Sequence, residues 1–385
     1  MASDPRPEGG RASRPIRALT SIRFLAAFWV VFHHFGAPLV PKGWAHLETL
    51  RMRGGAGVSL FFVLSGFILA YNYAGSRTVS LRGFLSARFA RIYPVYLVSM
   101  LFAFPMFLHI SVAERGPSAG TLHSTGQLAL CLGLLQSWFP MKALLLNPPG
   151  WSLSAEWFFY SVFPFWMNSV RARAFLGSAV FAVPVLWAAS LLLMLPLPWI
   201  DARIEDCCST TLPVRLRGFL SDFYPLIRLP EFLVGCSFGI LHLRMGGFGK
   251  AGATAVGGSL LALGALLFLP RTGFEEIVCS ALLAPVFGLI LLGLANVGDG
   301  GVRWLTRPWL VYLGEASFAL YILHEPARAA LGWGLDKAGI HIREDLKVCG
   351  MMVAAVLLSM AAYSLVESPL RPRVRAFLSG VPRMG

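Results

Sequence analysis

The sequence predicts an all-α fold, a polytopic membrane bundle of about ten transmembrane helices, on three observations. Of its 385 residues 56% are hydrophobic and 14% charged, whereas a soluble chain carries closer to a quarter charged residues. Apolar runs of spanning length recur along its extent. The basic residues behind a net charge of +14 fall in short segments between those runs, the placement that sets topology in a bilayer. Charge so dispersed builds no nucleic-acid surface, and no nucleic-acid partner is expected.

The elements follow in order. Residues 1–16 are polar and rich in Pro and Arg, and read as a cytoplasmic tail. The first apolar run is of full spanning length, unlike the short core of a cleavable signal peptide. Runs at 18–38, 56–74, 92–112, 152–168, 175–198, 229–243, 252–270, 277–296, 312–334 and 348–366 predict ten crossings. They make residues 17–366 a membrane domain and 367–385 a second cytoplasmic tail. An eleventh run, 122–139, is shorter and interrupted by Gly126, Gln127, Gly133 and Gln136.

Charge decides whether that run crosses. With ten crossings the loops on the side of the termini carry 18 Lys and Arg, against 13 in the longer opposite loops. An extra crossing would put Arg171 and Arg173 outside. The positive-inside rule therefore places both termini in the cytoplasm and makes 122–139 re-entrant or interfacial. Irregular backbone at that depth needs protein or a water-filled cavity around it, so a cavity is expected near residues 122–151. No internal repeat of the transporter kind is visible. The six cysteines form no framework or zinc spacing. Cys207 and Cys208 are open to either a vicinal disulfide or two thiols.

Ionisable groups inside apolar runs mark candidate function. The first run holds Arg23, His33 and His34. Arg23 and His34 are eleven apart, about 16 Å of helix rise, and face within about 20° of one another, whereas His33 points roughly 80° away. A neutral imidazole near the outer face can take a proton from a hydroxyl. Ser152 and Glu156, four apart after the break Pro148-Pro149-Gly150, share a helix face. If that helix starts at the outer boundary, Glu156 is at the depth of His34 and orients it; Ser152 or Ser154 could also cap the helix start. Arg88 and Arg91, three apart at a cytoplasmic helix end before Ile92-Tyr93-Pro94, suit either phosphate clamping or positive-inside anchoring. His324, in Tyr321-Ile-Leu-His-Glu-Pro, is a second imidazole at membrane depth. Glu231 and Glu367 read as helix-end pairs.

In this order the motifs resemble acyltransferase family 3, the bacterial integral-membrane O-acyltransferases. The likeness runs from about residue 17 to 375, through Leu19-Thr-Ser-Ile-Arg23, His34-Phe-Gly, Gly57-Val-Ser-Leu-Phe-Phe-Val-Leu-Ser-Gly-Phe-Ile68 and Arg88-Phe-Ala-Arg-Ile-Tyr-Pro94. It continues with Trp151-Ser-Leu-Ser-Ala-Glu156, Leu229-Pro-Glu-Phe-Leu-Val-Gly235 and Tyr321-Ile-Leu-His324. Thr20-Ser21 stands where the family has Asp-Gly. The resemblance implies transfer of an acyl group, commonly acetyl, from cytoplasmic acyl-CoA to a hydroxyl of a sugar or other glycan component at or across the membrane. It implies a standalone form without an appended esterase-like domain, in a bacterial inner membrane.

The family's Arg-x10-His motif falls on Arg23 and His34, its Arg-x-x-Arg on Arg88 and Arg91, and its Ser-x3-Glu on Ser152 and Glu156. The expected division is His34 and Glu156 in catalysis, with Arg23, Arg88 and Arg91 on acyl-CoA. Ser152, Ser154, Tyr93 and His324 are expected at the substrate pocket, and no metal is expected. The acceptor hydroxyl attacks the thioester directly, or through an acyl-histidine variant. A proton-coupled transporter using the same buried groups is the rival reading.

Overall fold

Hydrocarbon leaves every backbone polar group to be satisfied within the chain, and helices do this locally. The computed structural model describes residues 15–73, 78–140, 142–169, 179–194, 219–245, 250–268 and 281–379, and among these there is no strand. Arg171, Arg173, Cys207 and Cys208 lie outside the described residues, so the readings that involve them are not taken further. Each of the ten predicted runs carries a helix. In chain order these and the shorter helices are α1 (Arg17–Phe35), α2 (Ala45–Met52), α3 (Ala56–Tyr73), α4 (Leu81–Arg115), α5 (Pro117–Leu132) and α6 (Gly150–Asn168). Then come α7 (Ala179–Met194), α8 (Pro225–Met245), α9 (Lys250–Leu267), α10 (Leu283–Gly301), α11 (Pro308–Lys337), α12 (Glu344–Ala362) and α13 (Ser368–Ser379). Five segments are long and apolar enough to cross a bilayer: Arg17–Phe35, Ala45–Tyr73, Leu81–Arg115, Phe219–Arg244 and Glu344–Ser379. The chain is a helical membrane bundle.

Small residues set the closest helix contacts, because lipid supplies no hydrophobic drive between helices and packing must do the work. On α8, a Cβ at Gly235 would collide with the Val63 carbonyl of α3, and one at Gly66 with the Phe232 carbonyl. Gly314 does the same for α11 against the Thr20 carbonyl of α1, while the Ser21 hydroxyl donates to the Leu305 carbonyl at 2.5 Å. α1 and α11 thus run parallel from the same end, and they meet again at His34 and His324.

α4 is 35 residues long, about 52 Å at 1.5 Å per residue, which exceeds a hydrocarbon core of about 30 Å. With the end of the bundle where α1 starts taken as inner and the opposite end as outer, α5 folds back along the outer part of α4. It stops where Tyr93 and Tyr96 of α4 donate to the Leu132 and Cys131 carbonyls, both at 2.9 Å. Leu134 then takes a φ of 54°, a left-handed turn rare outside glycine. α6 completes the return to the inner end, where Asn168 exchanges two 2.8 Å bonds with Val79. Helix, break and helix together retrace α4 as one interrupted return, so 122–139 runs on into α6 and does not double back.

The break is filled by protein. Gln136 donates to the Gly150 carbonyl and Ser137 to that of Trp151, both at 2.7 Å. Asn147 donates to Ser99 and to the Ile322 carbonyl, both at 3.1 Å. The cavity expected near residues 122–151 begins instead at Ser152 and follows α6 inward.

Two acids differ in their outcome. Glu231, fully buried, pairs with Arg228 in the first turns of α8 at 2.9 Å, and Arg228 also donates to Ser59. Glu367 does not end a helix: it lies in a π-helical turn, Tyr363–Glu367, that passes directly into α13. The segment predicted as a tail is therefore helical to Ser379 and packs against α4.

Candidate active site

Two polar clusters occupy different depths of the bundle. The inner one surrounds a cavity of about 90 Å³ between α1, α3, α4, α6 and α11. Arg23, Arg88 and Arg91 line it together with Ser65, Ser152, Glu156, Tyr160 and Tyr321. The i,i+3 spacing of Arg88 and Arg91 brings both to this face of α4. Arg88 is 7% exposed, its guanidinium lies 5.8 Å over the Phe84 ring, and its Nε has no partner. Glu156 accepts from the Ser65 hydroxyl at 2.8 Å and from the Tyr160 hydroxyl one turn further along α6. Arg23 is within electrostatic reach of Glu156, Glu315, Glu367 and Arg91. Three guanidinium groups, one with an unpartnered buried N–H, around a cavity with room for several waters fit a phosphate-bearing ligand with a slender tail.

The outer cluster is a relay of imidazoles. His324 is fully buried, and its Nδ1 lies 2.7 Å from the Tyr321 carbonyl oxygen. A carbonyl only accepts, so Nδ1 carries the proton and Nε2 of the neutral ring is an acceptor. His34 Nδ1, 2.7 Å from that Nε2, is then the donor. The proton on Nδ1 leaves His34 Nε2 with its lone pair, on a side chain 32% exposed. Such a hydrogen bond to the second nitrogen is how a base is held in its working tautomer. Glu325 Oε1 is 3.7 Å from His34 Nδ1, and Arg328 holds the other carboxylate oxygen at 2.8 Å. His33 faces elsewhere: its Nδ1 donates to the Arg51 carbonyl at 2.9 Å.

These groups could also hold a metal, since His34, His324 and Glu325 offer ligand atoms within 4.8 Å of one another. The 2.7 Å separation of the two nitrogens is that of a hydrogen bond. Two nitrogens on one tetrahedral zinc at about 2.0–2.1 Å stand about 3.3 Å apart.

Sequence reasoning had put Glu156 beside His34, and the structure separates them. The partners of Glu156 are Ser65 and Tyr160, and those of His34 are His324 and Glu325. The cause is the sunken start of α6. Tyr321, one turn inward of His324, donates to the Pro149 carbonyl at 3.2 Å, so α6 begins below the imidazoles. Glu156 is six residues further in, about 9 Å.

Of the other expected residues, Ser152 lines the cavity and donates to the Pro149 carbonyl at 3.1 Å. Ser154 donates to the Leu134 carbonyl at 2.6 Å, and Tyr93 to that of Leu132, so both pin the break rather than face the cavity. Ser65, Tyr160, Tyr321 and Glu325 were not singled out. The i,i+4 pair Glu156–Tyr160 and the neighbours His324–Glu325 were the available signals.

The fold and the two clusters define a helical membrane protein with buried ionisable groups on facing helices. The family model described as an acyltransferase domain, that of acyltransferase family 3, matches residues 16–364, and the chain belongs to that family. Acyltransferase MdmB of Streptomyces mycarofaciens is 31% identical over 80% of this chain and 77% of its own length. Exopolysaccharide production protein ExoZ of Rhizobium meliloti is 29% identical over 84% of this chain and 91% of its own. Protein 2 in the picA locus of Rhizobium radiobacter is 35% identical over 34% of this chain. No solved structure matches significantly. The chain is an acyltransferase.

Proposed function

We propose that this acyltransferase takes an acyl group, acetyl in the first instance, from cytoplasmic acyl-CoA. It delivers the group to a hydroxyl of a glycan or glycoside at the outer face of a bacterial inner membrane, with both termini cytoplasmic. The observation that carries the reading is the imidazole relay, which leaves His34 Nε2 as an exposed base. The similarity to ExoZ, an exopolysaccharide production protein, supports a carbohydrate acceptor. Family membership favours acyl transfer over solute transport.

The donor supplies an acyl carbon activated as a thioester. Arg23, Arg88 and Arg91 bind its phosphates from the cytoplasmic side, and Glu156, fixed by Ser65 and Tyr160, holds the arginine cluster in register. His34 Nε2 takes the proton of the acceptor hydroxyl as the oxygen–acyl bond forms, the carbon–sulfur bond breaks, and the proton passes on to the departing coenzyme A thiolate, which leaves as the free thiol. His324 keeps the His34 tautomer, and Glu325 faces the imidazolium that results. His34 is the catalytic residue; His324, Glu325 and Glu156 are positioning residues.

The test is mass spectrometry of cell glycans and glycosides from cells expressing the wild-type gene, the His34→Ala variant or neither. An O-acyl group present only with the wild-type protein is expected. An identical acyl pattern in all three contradicts the reading.

A further inference from the structure

The inner cavity is too small for a whole donor. At about 90 Å³ it falls well short of the roughly 300–1,000 Å³ that encloses a drug-sized ligand. A nucleotide head carrying several phosphates must then rest outside the cavity, on the cytoplasmic side. The arginines continue in that direction. Glu367, 2% exposed, has an oxygen without a partner and is within electrostatic reach of Arg91 and Arg23 on the cavity side and of Arg371 on α13. α13 carries Arg371, Arg373 and Arg375 and packs on the beginning of α4. There Arg82 donates to the Leu378 carbonyl at 3.5 Å. The π-helical turn at Tyr363–Glu367 leads directly into α13, and such turns gather at functional sites.

We infer that α13 and the first turn of α4 form a second polyanion subsite, which takes the remaining phosphates of the donor's nucleotide head while the cavity arginines hold the phosphate nearest its slender acylated arm. Arg371 and Arg375 are its principal groups, with Arg82 opposite, and Glu367 ties them to the cavity arginines. Guanidinium forks suit phosphate oxygens, and several in a row bind a polyphosphate better than an isolated anion. The inference rests on the proposed acyl-CoA donor.

The experiment measures binding of coenzyme A and of S-acetylpantetheine to full-length protein in detergent, wild type against Arg371→Gln/Arg375→Gln. Expected is a loss of coenzyme A affinity of at least about fivefold in the double variant, with S-acetylpantetheine binding unchanged. The Arg371→Lys/Arg375→Lys protein should recover part of the loss, which separates charge from misfolding. Equal coenzyme A affinity in wild type and double Gln variant overturns the subsite. Competition by added phosphatidylglycerol also overturns it, assigning the arginines to a lipid headgroup. Wild-type protein that binds no coenzyme A fails the donor reading itself, a different result from either.

Discussion

The inner cavity and the outer relay handle charge in opposite ways. Three arginines and one carboxylate, Glu156, line the cavity, with Glu315 and Glu367 in electrostatic reach, so the region is built of full charges. In the relay, neutral imidazoles pass one hydrogen-bond direction from the Tyr321 carbonyl through His324 to His34, and Glu325 is itself matched by Arg328. On the proposed function the first arrangement binds and the second moves a proton. α1 and α11 each contribute to both: Arg23 and His34 from one, Tyr321 and His324 from the other. A donor held in the first region can therefore be presented to a base in the second along two parallel helices.

Separate work implies separable defects. The largest expected effect is on turnover: His34→Ala removes the base and should lower transfer by roughly 10²–10⁴-fold. If any inner-cavity variant matches that loss while binding donor normally, the division between the regions fails. Next is the arginine pair. Arg88→Gln with Arg91→Gln should weaken donor binding by roughly 10–100-fold, about 1.4–2.8 kcal/mol for the pair, seen by calorimetry on purified protein. Unchanged affinity would return both residues to topological anchoring.

His324→Leu should lower kcat by roughly 10–100-fold with little change in KM, as for other groups that fix a histidine's orientation. His324→Gln, whose side-chain oxygen can accept from His34 Nδ1, should recover part of it. A merely structural role would give no such recovery. The smallest effect is Tyr160→Phe. It takes one of two donors from Glu156 and should cost a few-fold in donor affinity, about 0.5–1.5 kcal/mol, with kcat held.

The same contrast shows what the sequence makes legible. Hydropathy and charge placement suffice for the bundle and for the broken return at 122–139, because bilayer thickness fixes the length of a crossing. Helical period suffices for the shared face of Arg23 and His34, and for the placing of Arg88 and Arg91. Depth is where sequence reasoning falls short. The position of Glu156 depends on how far residues 133–149 sink into the bundle. That is decided by long-range bonds such as Asn147 to Ile322 and Tyr321 to Pro149, which no local pattern carries. The tie of His34 to His324 spans 290 residues and is equally invisible along the chain. Glu367 looks like a helix end because Pro369 follows two residues later, yet a π turn carries the helix through it.

The claim that binding and proton transfer occupy different regions is tested most directly by paired calorimetry and single-turnover assay of His34→Ala with acetyl-CoA. The expected result is donor affinity within about twofold of wild type while transfer falls at least about 100-fold. Donor affinity lost together with turnover, or turnover retained, would contradict it.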